Sequence, residues 1–115
     1  MRKINYNGKK FKVESNSSGG ELEEGLVFEY WQSGMVLSCT YSGSTILSGH
    51  ILGKVDTENG ELHFVYHQIN TEEELSSGKC HSKPEWLPDG RIRLHESWSW
   101  ISGKSGKGKS TLIEI

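Results

Sequence analysis

Five dipeptides punctuate the chain: Asn7-Gly8, Ser33-Gly34, Ser42-Gly43, Asn59-Gly60 and Asp89-Gly90. Each tolerates the positive φ that tight hairpin turns demand. Between them lie KKFKVES, LVFEYWQ, MVLSCTY, TILSGHILGKV, ELHFVYHQIN, GKCHSKPEW, RIRLHESWSWI and KSTLIEI, rich in β-branched and aromatic residues with polar residues interleaved. That is the composition of half-buried strands, and about eight or nine antiparallel strands are expected. Short turns favour a meander, and long twisted strands close on themselves to remove exposed edges. The expected fold class is all-β: a small antiparallel up-and-down (meander) barrel with little helix. Thr71 and Glu74 have capping-box spacing, but Ser76, Ser77 and Gly78 come too soon for more than a turn.

The alternation shows which side chains face inward. From Arg91 to Ile101, the residues Ile92, Leu94, Glu96, Trp98 and Trp100 share one face, while Arg91, Arg93, His95, Ser97 and Ser99 share the other. Leu62, Phe64, Tyr66 and Gln68 make a similar set, as do Leu26, Phe28, Tyr30 and Gln32. Glu96 is the informative member, because a carboxylate on an apolar face has to be paired, hydrogen-bonded or set against a wet cavity. One reading gives it a structural partner such as Arg91, Arg93 or Tyr66. The other places Glu96, Trp98, Trp100, Tyr66, Gln68 and Tyr30 inside the barrel as a pocket, a few polar groups within aromatic walls, as small-molecule sites are built.

One motif points elsewhere. GKSGKGKS, residues 103–110, fits the phosphate-binding pattern G-x-x-x-x-G-K-[ST]. Such a loop works only with a helix after it, whose N-terminus and backbone amides hold the phosphates. Only STLIEI remains after Lys109, which as a helix would be about 9 Å long and which suits a strand better. A hairpin loop between the last two strands is expected, and no nucleotide or other cofactor. The stretch SNSSGGELEEG, residues 15–25, is the one long flexible-looking segment, read either as a solvated connection or as a lid at the barrel mouth.

Other chemistry is thinly signalled. His63 and His67 share a face of one strand about 13 Å apart, too far for one ion, and Cys80/His81 and His95/Glu96 are adjacent and point to opposite sides. No metal is expected. Cys39 and Cys80 form no CxxC pair and read as buried free thiols, with a cysteine nucleophile served by a histidine as the alternative. No G-x-S-x-G element is present.

At 115 residues the chain has the size of one domain, residues 1–115. Its 13 Lys and Arg against 15 Asp and Glu offer no broad basic surface for a phosphate backbone, so nucleic acid is not an expected partner. The opening MRKINYNGKKF has no apolar run of signal-peptide length, and no stretch approaches the roughly 20 apolar residues of a membrane helix. A cytoplasmic protein without a membrane partner is expected.

The stretches YWQSGMVLSCTYSG, GHILGKVD, YHQIN and GKCHSKPEWLPDGRIRLHESWSW resemble a family of small bacterial proteins often labelled n-acetylglutamate synthase, over Asn5 to Ile115. The resemblance implies a calycin-type (lipocalin-like) β-barrel and brings no catalytic residues with it. An acetyltransferase of the GNAT type would need a Q/R-x-x-G-x-G/A loop at a helix start. None of Arg2, Arg91, Arg93, Gln32 or Gln68 has Gly three positions later. The expected function is binding of a small, partly apolar ligand. The alternatives are acyl transfer to an amino acid, as the label implies, and a non-enzymatic interaction protein that pairs with its own copy as a homo-oligomer.

Overall fold

Alternating inward and outward residues, separated by glycine turns, build nine antiparallel strands among the described residues, 3–17 and 19–115, of the computed structural model. Met1 and Arg2 of the basic opening and Ser18 of the 15–25 segment lie outside the described residues. The strands are β1 (Lys10–Asn16), β2 (Val27–Glu29), β3 (Trp31–Ser33), β4 (Val36–Gly43), β5 (Ile46–Val55), β6 (Leu62–Asn70), β7 (Leu75–Trp86), β8 (Ile92–Ser102) and β9 (Lys107–Glu114).

The sheet order is β2-β1-β9-β8-β7-β6-β5-β4-β3, every pairing antiparallel. Because only Tyr30 separates β2 from β3, the two ends of that order meet within one interrupted strand, and the sheet closes into an up-and-down barrel. At the interruption Tyr30 keeps its backbone paired: its N-H donates to Lys9 O and its carbonyl accepts from Gly8 N. LVFEYWQ, expected as one strand, is thus two. Asn7-Gly8 does turn, with Gly8 at φ 80°, but the residues before it form no strand. They cross the end of the barrel instead. Tyr6 is fully buried there, donating its hydroxyl to Gly60 O at 2.6 Å, and Ile4 is buried beside it.

A barrel of about eight strands has an interior that side chains can fill or that can hold one small ligand. Here large rings share that space with glycines on neighbouring strands. An added Cβ at Gly49 would strike the Tyr41 ring, at Gly53 it would strike Phe64 and the His63 carbonyl, at Gly78 Tyr66, and at Gly108 Trp98. Missing side chains on one strand therefore make room for rings from the next. Four further rings, Tyr6, Phe11, Tyr30 and Phe28, continue from Tyr41 in contact, with centroids 4.9–6.5 Å apart.

The GKSGKGKS segment lies at the last hairpin. Gly103 and Gly106 take positive φ (80° and 103°), and Lys107 onward is β9, paired with β8 on one side and β1 on the other. The Lys109 N-H is already used, donating to Ser17 Oγ at 2.9 Å. The helix start that a phosphate loop depends on is replaced by a strand. Among the described residues no helix is long and apolar enough to cross a membrane.

Candidate functional site

Strands β6 and β8 project their alternating aromatic residues into the barrel, next to the end bounded by the β1–β2, β4–β5, β6–β7 and β8–β9 connections. The free space there is about 40 Å³, enough for a few water-sized groups and far below the roughly 300–1,000 Å³ of a drug-sized site. Tyr30, Tyr66, Glu96, Trp98 and Trp100 all line it. Gln68 is buried beside it and lies toward the mouth, where it accepts from Tyr41 Oη at 2.6 Å. Tyr66, Trp100 and Trp98 form an edge-to-face series with centroids 5.5 and 6.1 Å apart. The hexad from the alternation is thus gathered in one region, five members on the cavity wall and one above it.

Glu96 is 7 % exposed. Its oxygens accept from Ser82 Oγ at 2.9 Å and Ser110 Oγ at 3.0 Å, one hydroxyl from each flanking strand. The register places Ser82 and Ser110 directly opposite Glu96 on β7 and β9, so both share its inward face. This corrects the expectation of a basic or phenolic partner. Arg91 pairs with Asp89 at 2.8 Å, and Arg93 with Glu14 at 2.8 Å, both on the outside. Strand periodicity explains the result, because Arg91 and Arg93 are odd-numbered neighbours of an even-numbered inward residue. Burial raises the Glu96 carboxyl above its ordinary range, and the two serine hydroxyls oppose that rise.

Two polar atoms on the wall have no partner. Tyr30 Oη and Asn16 Oδ1 are buried without a hydrogen bond among the described residues, and both residues line the cavity. Burial, then the nearby Glu96, pushes the Tyr30 hydroxyl well above the ordinary phenol range, so it stays a neutral donor. A buried polar group without a partner costs about 1–3 kcal/mol.

Residues 15 and 16 belong to β1, and Gly19 to Leu22 of the 15–25 segment lie over the mouth. Glu21 reaches down, accepting from Gln68 Nε2 at 2.6 Å and from Asn70 Nδ2 at 2.7 Å, with Lys104 Nζ at 3.7 Å. Asn16 Nδ2 donates to Leu22 O at 3.0 Å, and Trp100 Nε1 to Gly19 O at 3.1 Å. Of the two readings of this segment, the geometry matches a lid rather than a solvated connection. Glu21, Asn16 and Leu22 were not legible as site residues, because a loop carries no periodicity. Tyr41 could have been found, since Leu37, Cys39 and Tyr41 alternate on β4 as the β6 and β8 sets do.

Both cysteines are free and buried. Burial pushes the Cys39 thiol up to about 12, and burial with the adjacent Glu96 raises Cys80 well above its usual value. Both are held as thiols, so neither is poised as a nucleophile. Cys80 points inward and His81 outward. Barrel pairing also joins histidines that spacing along one strand kept apart: His63 stacks on His81 and His67 lies against His50, with centroids 4.2 and 5.4 Å apart. The separation of His63 from His67 stands, but the relevant neighbours are across the sheet.

The family model described as avidin-like protein matches residues 4–115, and the chain belongs to that family. This agrees with the small calycin-type barrel expected; the match carries no synthase name. No curated protein and no solved structure matches the chain significantly.

Proposed function

We propose that this avidin-like barrel binds a small, partly apolar ligand in its interior, entering by the mouth that residues 19–22 cover. The observation that carries the reading is the pair of unpartnered buried atoms, Tyr30 Oη and Asn16 Oδ1, on a wall that also holds the aromatic rings of Trp98, Trp100, Tyr66 and Phe28 and the Glu96 carboxyl. A ligand with a hydrogen-bond donor for Asn16 and an acceptor for Tyr30 offsets the cost of leaving those two atoms unpaired. Its apolar body meets the indoles. Because the space is about 40 Å³, binding requires Glu21 to leave Gln68 and Asn70, and those two amides then face the ligand's outer end.

Tryptophan fluorescence and calorimetry against a panel of small acids with amide or ureido groups, biotin and N-acetylglutamate among them, test this. A binder is expected to shift the Trp98 and Trp100 emission. Tyr30→Phe is expected to weaken it roughly tenfold, as loss of one buried hydrogen bond of about 1.4 kcal/mol does, while the fold stays as stable or gains. No response from the wild type and none from Glu21→Ala, in which the lid is released, would sink the reading. Acyl transfer predicts instead that acetyl-CoA raises the melting temperature by mass action. Among the described residues no helix start offers its pyrophosphate a cradle.

A second reading, self-association, has its own observation. Trp31, Ser38, Leu52 and Val65 stand side by side across β3 to β6 on the outer face, and Trp31, Leu52 and Val65 are each 50 % exposed. Sedimentation of the wild type should then report a multiple of the chain mass, and Leu52→Glu with Val65→Glu should return it to monomer. A monomeric wild type at tens of micromolar, roughly the range where a weak homodimer persists, removes this reading.

A further inference from the structure

The outer face of the barrel carries a donor cluster that the interior site does not use. Glu61 immediately precedes β6, and His63 lies two residues on, so their side chains leave on the same side. His81, on β7, is directly opposite His63 in the register. The Glu61, His63 and His81 side chains each offer one ligand atom, and the three atoms lie within 4.8 Å of one another. His81 Nε2 is 2.6 Å from Glu61 Oε1, and the two imidazoles stack at 15°. Around them runs an outer groove bordered by Lys54, Val65, Lys79 and Ser97.

We propose that Glu61, His63 and His81 form a surface site for a divalent transition-metal ion of the zinc class. Two imidazole nitrogens and one carboxylate oxygen supply three ligands, and the fourth position is left to water. In a tetrahedral zinc site with bonds of about 2.0–2.1 Å, neighbouring donors are roughly 3.4 Å apart. Separations within 4.8 Å close to that by rotation of the exposed His63 and the half-buried Glu61 and His81 side chains, with no movement of the sheet. Imidazole with carboxylate is a borderline donor set, which selects zinc-class ions over calcium or magnesium. The positive charges oppose the ion: Lys54 is opposite His63, and Lys79 and Lys83 flank His81 on the same outer face. Coordinate bonds therefore hold the ion, not the surrounding field, and losing any one of them is felt in full. The second cross-strand pair, His50 with His67, has no carboxylate grouped with it among the described residues and provides an internal control.

The test is calorimetry with Zn²⁺ and visible absorption with Co²⁺ on the full chain at neutral pH. One ion per chain is expected, with the intense d–d bands of four-coordinate cobalt. His63→Ala, His81→Ala and Glu61→Gln should each weaken binding about tenfold or more, and the double variant His50→Ala/His67→Ala should bind as the wild type does. Glu61→Gln changes a turn residue outside the barrel wall, so it decides the matter even where a histidine variant unfolds. Absence of one-to-one uptake, unchanged affinity in Glu61→Gln, or loss of binding in the His50/His67 variant overturns the proposal.

Discussion

Trp98→Ala is expected to lower the melting temperature by roughly 12–20 °C, the equivalent of about 3–5 kcal/mol in a domain of this size. The indole is 8 % exposed and occupies the space that Gly108 leaves open on β9. Its removal exposes two empty positions rather than one, because a glycine backbone has no side chain that could relax into the gap. Trp100 also loses its edge-to-face neighbour, 6.1 Å away, a contact worth about 0.5–1.5 kcal/mol beyond area. Trp98→Phe retains a ring over Gly108 and should lose distinctly less. Thermal melts followed by circular dichroism measure both. A loss below about 1 kcal/mol for Trp98→Ala would contradict an inward indole packed on glycine.

Glu96→Gln is expected to make the protein more stable at neutral and alkaline pH, by on the order of 1–3 kcal/mol. Burial raises the folded-state carboxyl above the unfolded value of 4.5. The folded state therefore holds this proton more tightly than the unfolded one. The stability it confers is fully present below pH 4.5 and is lost as pH rises through the raised folded value. Urea midpoints of the wild type should fall across that window, and those of Glu96→Gln should lack that component. Ser82 and Ser110 remain hydrogen-bonded in the variant, since the amide accepts from one hydroxyl and donates to the other. A variant destabilised at pH 8 would mean that the carboxylate is ionised in place and that its two serine bonds outweigh its desolvation.

The barrel was legible because its signals are local. Turn dipeptides at Ser33-Gly34, Ser42-Gly43, Asn59-Gly60 and Asp89-Gly90 separate β3 from β4, β4 from β5, β5 from β6 and β7 from β8. The inward faces of β6 and β8 come from a period of two, which needs no knowledge of the strand opposite. The same logic assigned the GKSGKGKS segment to a hairpin, since STLIEI reads as strand and pairs as one in β9. The partners of Glu96 were not legible. Ser82 and Ser110 lie 14 residues away on either side, and no pattern within β8 marks them.

By itself, the sequence determined the all-β class, four of the hairpin turns, the inward faces of β6 and β8 and the aromatic make-up of the interior, because each is written in neighbours one to four residues apart. Only the tertiary structure decided which serines hold Glu96, that Glu21 closes the mouth, and that His63 meets His81 beside Glu61. Those relations depend on the register between strands, and on loop paths that alternation along a single strand does not encode.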